Sequence, residues 1–347
     1  SNAKKIGAAT YKNIDAVSSF YNKVVKYLIY GNVLKNNTYP LSVSAERIVQ
    51  ALEIINYAKE TGAEYIAHGS TGAGNDQVRF DMIFQLIAPN IKIITPIRDK
   101  KLTRQEEIDY LKSKGVEMNW EKAKYSVNKG LWGTSVGGAE TLTSEKPLPE
   151  EAYPSQLKEK EPQQIILGFT KGEFTSLNGK ENAPEKNIQL LEEIAKQYAI
   201  GRDIHVGDTI IGIKGRVGFE AAAAQIIIKS HHLLEKHTLS KWQLQHKDYL
   251  ANWYGTHLHE GQYLEPVMRD LEAFLESSQK QVTGEVYVSL HPYRFQLDGI
   301  RSDFDLMNSG FGKYGEENNA WTADDAKGFI KILSNSGKIY QYVKEKG

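Results

Sequence analysis

The run IAHGSTGAGNDQVRF, residues 66–80, constrains the fold more than any other stretch of this chain. It places Gly69, Gly72 and Gly74 between a short apolar segment, EYIAHG, and a segment, DQVRFDMIFQLIAPN, whose Val78, Met82, Ile83 and Leu86 recur at helical spacing. A strand, a glycine-rich turn and a helix make one βα unit, and in a doubly wound sheet ligands bind where strands end and helices begin. The glycines let the backbone approach a ligand closely and can take positive φ. Free N–H groups in the first turn of the helix favour an anion. Asn75 and Arg79, four residues apart, share one helical face and can reach the same ligand. The plainer alternative is a glycine-rich turn capped by Asp76, with Arg79 solvated. The spacing matches neither G-x-x-x-x-G-K-[ST] nor G-x-G-x-x-G. By itself the run marks a binding site without naming the ligand.

The neighbouring pattern extends the βα reading. SAERIVQALEIINYAKET (44–61) carries Ile48, Ala51, Leu52, Ile55 and Ala58 at helical spacing and stops at Gly62. IKIITPI (91–97) reads as a second strand, and Thr103 with Glu106 is a capping-box signature for a helix through Lys114. Residues 1–116 are therefore expected to form a doubly wound, parallel-sheet α/β nucleotide-binding domain. Beyond residue 117, helical segments at 187–199, 219–236, 239–254 and 264–279 mix with alternating strands GEVYVSLH and RFQLDGIR, which predicts an α+β domain over 117–330. Residues 143–163 read as a loop, and 331–347 as a helical arm offering, with the turns before it, Phe329, Ile332, Leu333, Ile339 and Tyr340 for burial.

Composition excludes several function classes. Lys+Arg and Asp+Glu both number 43, so no nucleic-acid or basic membrane footprint is present. The absence of cysteine removes disulfides and thiolate zinc sites. No apolar run approaches the roughly 20 residues of a membrane helix. Ser1-Asn2-Ala3 reads as the remnant of an expression tag, no signal peptide follows it, and a cytoplasmic protein is expected. His257, His259 and Glu260 might suggest a metal cluster, but residues two apart on a helix do not converge, so no metal site is expected.

HGSTGAGNDQVRF closely resembles the HG-[AS]-TG-x-GNDQVRFE signature of the argininosuccinate synthase family. Four further segments carry the likeness along nearly the whole chain. YPLSVSAER (39–47) is similar to the family's YLLGTSLAR, YSVNKGLWGTSVGGAE (125–140) to its WSxDxNLxxxSxExG, GIKGRVGFE (212–220) to GxKSRGxYE, and TADDAKGFIKI (322–332) to PTDATGFI. The resemblance implies ATP-dependent joining of citrulline and aspartate through citrullyl-AMP, with AMP and pyrophosphate released, in arginine biosynthesis. ATP would arrive with Mg²⁺ as substrate, with no tightly bound cofactor, and the C-terminal arm would build a homotetramer. The family's SGGLDTS pyrophosphate loop does not occur in this sequence; KKIGAATYKNIDA resembles a stretch further into the family's chain, and the expectation is that the loop is omitted here rather than lost. The alternatives are another AMP-forming ligase of the same superfamily, or a non-catalytic nucleotide-binding scaffold.

Carried over residue by residue, the resemblance implies that Ala67, His68, Gly69, Gly72 and Gly74 line the adenine nucleotide. Thr71, Asn75 and Asp76 would hold aspartate, with Asp76 orienting or deprotonating the attacking amine. Tyr39, Ser44, Asn75, Arg79, Ser126 and Ser135 would hold citrulline, and Asp76 and Arg79 would serve the chemistry. Ser44 has the alternative of capping the helix that follows it. One departure stands out. Where the family carries Glu-Asn before GxKSRG and a Tyr before the last Glu, this chain has Gly207, Asp208 and Phe219. The first Glu and the Tyr would contact citrulline, so either Asp208 shifts into the acidic role or the ureido substrate has a blocked α-amino group.

Overall fold

A computed structural model of the chain describes residues 2–116, 125–308, 310–315 and 317–346. It divides into two compact units, residues 1–304 and 305–347. No helix among the described residues is long and apolar enough to cross a membrane.

In the first unit, the helix Ser42–Glu60 buries Ile48, Ala51, Leu52, Ile55 and Ala58, as their spacing predicts. It leads into β1 (Tyr65–Ala67), the glycine-rich loop, the helix Asp76–Ile87 and β2 (Lys92–Ile94). β1 and β2 pair in parallel, with Ile66 opposite Ile93, so the expected crossover unit is present. This pair is the only parallel pairing among the described strands, so the wider doubly wound sheet remains an expectation. The second strand is shorter than IKIITPI suggests, because Pro96 takes the first position of a helical turn, Pro96–Lys100. Thr103 and Glu106 form the expected capping box on the helix Arg104–Ser113.

The helix Asp76–Ile87 is rotated from the orientation that its apolar residues alone predict. It buries Gln77, Arg79, Ile83 and Phe84 and leaves Leu86 62% exposed. Buried partners for the Arg79 guanidinium make this rotation tolerable, since an unpaired charge there would be strongly unfavourable.

Two antiparallel sheets complete the unit. β3 (Ser126–Gly130), β4 (Gly133–Gly137), β9 (Lys214–Glu220) and β8 (Arg202–Asp208) form one, in that spatial order. The other runs β11 (Arg294–Arg301), β10 (Gly284–His291), β5 (Gln163–Thr170), β6 (Glu173–Leu177) and β7 (Lys180–Glu181). Of these strands, only β10 and β11 stand out in the sequence. The helices Pro184–Ala195 and Ala222–Thr238 pack on the second sheet, and their Ile188, Leu191, Ile226 and Ile227 join one continuous core with Val286 and Val288. The helices Lys241–His259 and Val267–Ser278 pack against each other. The 143–163 stretch is irregular apart from short turns, including Glu150–Ala152.

The second unit contains a short antiparallel pair, Gly312–Lys313 with Glu317–Asn318, then the helices Ala323–Leu333 and Asn335–Lys344. The first helix runs through position 330, where the sequence pattern put a boundary. The boundary at 116/117 abuts residues outside the described ones.

Candidate functional site

A cavity of about 420 Å³ opens at the carboxyl end of β1. Its first wall is the start of the helix Ser42–Glu60. Leu41, with φ +61°, turns the chain into this helix, and no side chain caps it. The Tyr39 hydroxyl accepts from the Val43 N–H and from Ser42 Oγ, both at 3.3 Å. Ser44 does not cap the helix; its hydroxyl donates back to the Leu41 carbonyl at 3.3 Å and lines the cavity. The positive end of a 19-residue helix thus faces the cavity beside buried hydroxyls, a favourable place for a carboxylate.

The glycine-rich loop is the second wall, contributing Ser70, Thr71, Gly74 and Asn75. Gln77 Nε2 donates to the carbonyls of Gly72 and Gly74 and so fastens the loop to the following helix. None of Gly69, Gly72 and Gly74 has positive φ. A Cβ on any of them would meet nothing closer than 3.5 Å, so the protein's own packing does not demand glycine there. His68 lies beside the loop; its ring nitrogen bonds Asp81 at 2.7 Å, and Asp81 pairs with Arg98 at 2.8 Å. Ala67 ends β1, and its side of the strand is exposed.

Asp76 and Arg79 form the centre of the site. Arg79 is 3% exposed. Its Nη1 donates to Asp76 at 2.9 Å, while Nε and Nη2 donate to the His259 carbonyl at 2.9 and 2.7 Å. The second Asp76 oxygen accepts from Arg47 Nε at 3.0 Å. Two guanidinium groups therefore fix one carboxylate at the cavity wall. Burial, reinforced by Arg79, pushes the His259 imidazole down to about 3, so that ring is neutral beside the guanidinium. His257 turns back to the Trp253 carbonyl instead, so the two histidines diverge along their helix.

The β3–β4–β9–β8 sheet supplies the far wall. Ser135 lines the cavity and pairs across the strands with Phe219. Ser126 is exposed and lies outside the lining, whereas Asn128 on the same strand lines it and accepts from Arg47 Nη2 at 3.2 Å. Asn75 Oδ1 accepts from the Ile210 N–H at 2.9 Å, joining the loop to the β8–β9 hairpin. That hairpin also brings His205, Thr209 and Arg216 to the cavity. These three, with Arg47, Asn128 and His259, are site residues that sequence reasoning missed. Arg47, Asn128 and Arg216 sit within the segments that carry the family likeness, and His259 was weighed only as a metal ligand, whereas nothing local marks His205 or Thr209.

Most residues singled out in the sequence thus gather at one cavity or on its loop, with Ser126 the exception. The combination of hydroxyls, amides and one doubly held carboxylate suits recognition of small polar molecules bearing carboxylates and amide-like groups. Comparison with known proteins agrees. Residues 1–117 match the model described as "Arginosuccinate synthase N-terminal HUP domain", and residues 125–340 match "Arginosuccinate synthase C-terminal domain". The chain is 33% identical over 347 residues to the argininosuccinate synthase of Methanocaldococcus jannaschii, covering 99% of this chain and 87% of that one. Against the enzyme of Pyrococcus furiosus the identity is 35% over 335 residues, covering 95% and 81%. Against that of Dictyoglomus turgidum it is 33% over 340 residues, covering 97% and 85%. The cavity's residues and the likeness along both domains lead to one conclusion: this chain belongs to the argininosuccinate synthase family.

Proposed function

We propose that this protein joins citrulline and aspartate, consuming ATP and releasing AMP and pyrophosphate, and that the cavity at the carboxyl end of β1 is where the two amino acids meet. The observation that carries this is Asp76, held between Arg47 and Arg79 where the glycine-rich loop enters its helix. A carboxylate fixed in this way can orient an incoming amine and accept its proton.

In this reading ATP, with Mg²⁺ as its counter-ion, lies along the loop Ala67–Gly74, whose bare glycine edge leaves room for a nucleotide. The ureido oxygen of citrulline attacks the α-phosphorus and expels pyrophosphate. The aspartate amine, held by Thr71, Asn75 and Asp76, then attacks the ureido carbon and expels AMP. Tyr39, Ser44 and Ser135 surround the citrulline with hydroxyls, and the open helix start at Ser42–Ser44 receives its carboxylate. Arg79 acts as a positioning residue, because all three guanidinium nitrogens already have partners on Asp76 and His259. The exposed apolar faces of the two C-terminal helices support assembly into a homotetramer, working in the cytoplasm.

The test is product analysis with the protein in its full encoded length. Pyrophosphate and AMP should appear only when ATP, the ureido substrate and aspartate are present together. Release of ADP and phosphate would overturn the proposal.

A further inference from the structure

The turn that follows β2 lies behind the glycine-rich loop, outside the cavity lining, and one of its side chains braces that loop at both ends. Pro96 opens the helical turn Pro96–Lys100 directly after β2. Thr95, almost fully buried, donates from its hydroxyl to Asp99 at 2.8 Å and ties the turn to the end of the strand. Because β1 and β2 are parallel neighbours, the turn leaving β2 sits beside the loop leaving β1. Ile97 accordingly comes within 3.9 Å of a Cβ built on Gly69, and Arg98 Cγ within 3.6 Å of one built on Gly72.

Arg98 Nη1 has two partners on the helix Asp76–Ile87. It pairs with Asp81 Oδ2 at 2.8 Å and donates to Gln77 Oε1 at 3.3 Å. Each partner grips a different part of the loop. Asp81 Oδ1 lies 2.7 Å from His68 Nε2, and His68 Nδ1 accepts the Ser70 N–H at 3.3 Å. An accepting Nδ1 leaves Nε2 to donate to Asp81. The imidazole also packs on Phe80 and Phe84, with centroids 5.6 and 6.4 Å apart, which keeps it against the helix. Gln77, only 8% exposed, donates to the carbonyls of Gly72 and Gly74. His68 therefore holds the start of the loop and Gln77 its latter half, while Arg98 ties together the groups that orient them. A loop with glycine at 69, 72 and 74 has many conformations open to it, and ordering it only when a ligand arrives would cost affinity.

We propose that Arg98 is a positioning residue for the nucleotide: by fixing Asp81 and Gln77 together, it holds the loop Ala67–Gly74 in its receiving shape before ATP arrives. This rests on the reading of that loop as the seat of ATP. Arg98 lies outside the cavity lining, so its effect passes through His68 and Gln77.

The experiment uses the full-length protein and two variants, Arg98→Met and Arg98→Lys. Binding of α,β-methylene-ATP, which cannot release pyrophosphate, is measured by calorimetry with and without citrulline. Pyrophosphate release is then followed with ATP, citrulline and aspartate. Arg98→Met keeps an unbranched stem beside Gly72 and removes the donors. It should weaken analogue binding and raise the KM for ATP about tenfold. The KM for citrulline should stay within about twofold, because Tyr39, Ser44 and Ser135 lie on other elements. Arg98→Lys should recover most of the loss, since one nitrogen makes both contacts and an ammonium has donors for each. Unchanged analogue binding in Arg98→Met overturns the proposal. So does an equal rise in KM for ATP and citrulline, or a lysine variant as weak as the methionine one. A wild-type protein that binds the analogue but releases no pyrophosphate sinks the ligase reading and leaves this assignment standing. One that does not bind the analogue, with or without citrulline, sinks both.

Discussion

Arg79 shows how much a single side chain can depend on where its partners sit. Its guanidinium spans Asp76, three residues away, and a carbonyl at His259, 180 residues away. A lysine keeps the charge but has one nitrogen, and cannot serve both ends of that span. Arg79→Lys is therefore expected to cost on the order of 2–4 kcal/mol of stability, read by urea unfolding, and to lower kcat/KM for the ureido substrate sharply. Wild-type behaviour in both would show that the fork is not needed. Glu192 gives a second test. Burial pushes its carboxyl up to about 7, although it accepts the Ala223 N–H at 2.8 Å at the start of the helix Ala222–Thr238. The folded state then holds this proton more tightly than the unfolded chain, whose value is near 4.5. Between those values the folded form binds more protons, so this residue's contribution to stability falls as pH rises from about 4.5 to about 7. Glu192→Gln should remove that slope and leave the variant more stable at pH 8 by on the order of 3 kcal/mol. Equal melting curves for the two proteins at pH 8 would refute this.

At the scale of elements, start signals in the sequence translate into geometry where they act within one turn. Ser240 and Gln243 form a reciprocal capping box on the helix Lys241–His259, with Gln243 accepting from the Ser240 N–H at 3.0 Å. This helix carries His259, the acceptor for Arg79, at its end. Ser240→Ala is expected to destabilise the protein by about 1 kcal/mol, seen as a lower urea midpoint with an unchanged slope. No shift in midpoint would mean that packing alone holds the helix start. The helix Ser42–Glu60 is the contrasting case. It lacks a side-chain cap and begins after a leucine in left-handed backbone, which is an unfavourable start for a helix. Here the open N–H end faces the cavity, and the local cost is consistent with a site built to receive an anion.

For the whole molecule, the residues left uncovered are as informative as the core. On the helices Ala323–Leu333 and Asn335–Lys344, Phe329, Ile330, Ile332, Leu333, Ile339, Tyr340, Tyr342 and Val343 are all exposed. Large exposed apolar side chains gathered on two short helices are typical of association surfaces, which supports the proposed assembly. Deleting residues 335–347 should lower the molecular mass measured by light scattering from that of an oligomer. An intact protein already monomeric, or an oligomer unchanged by the deletion, would refute the assembly.

The sequence by itself determined what is encoded within a few neighbouring residues. The strand, glycine-rich loop and helix at 65–87, the capping box at Thr103 and Glu106, and the buried stripe of the helix Ser42–Glu60 all belong to that class. Each depends on spacing within one or two turns, where geometry follows directly from chain periodicity. Tertiary structure decided the rest. β3, β4, β8 and β9 are rich in glycine and charge, so their alternation is faint, and their pairing stabilises them more than their own propensity does. The same sheet carries Asn128, His205 and Arg216 to a loop far away in sequence, a convergence that no local pattern announces even where a residue lies in a recognised segment. Rotation of the helix Asp76–Ile87, which buries Arg79 and exposes Leu86, follows from the carbonyl at His259. A buried charge goes where its partners are, and those partners are brought together only by the completed fold.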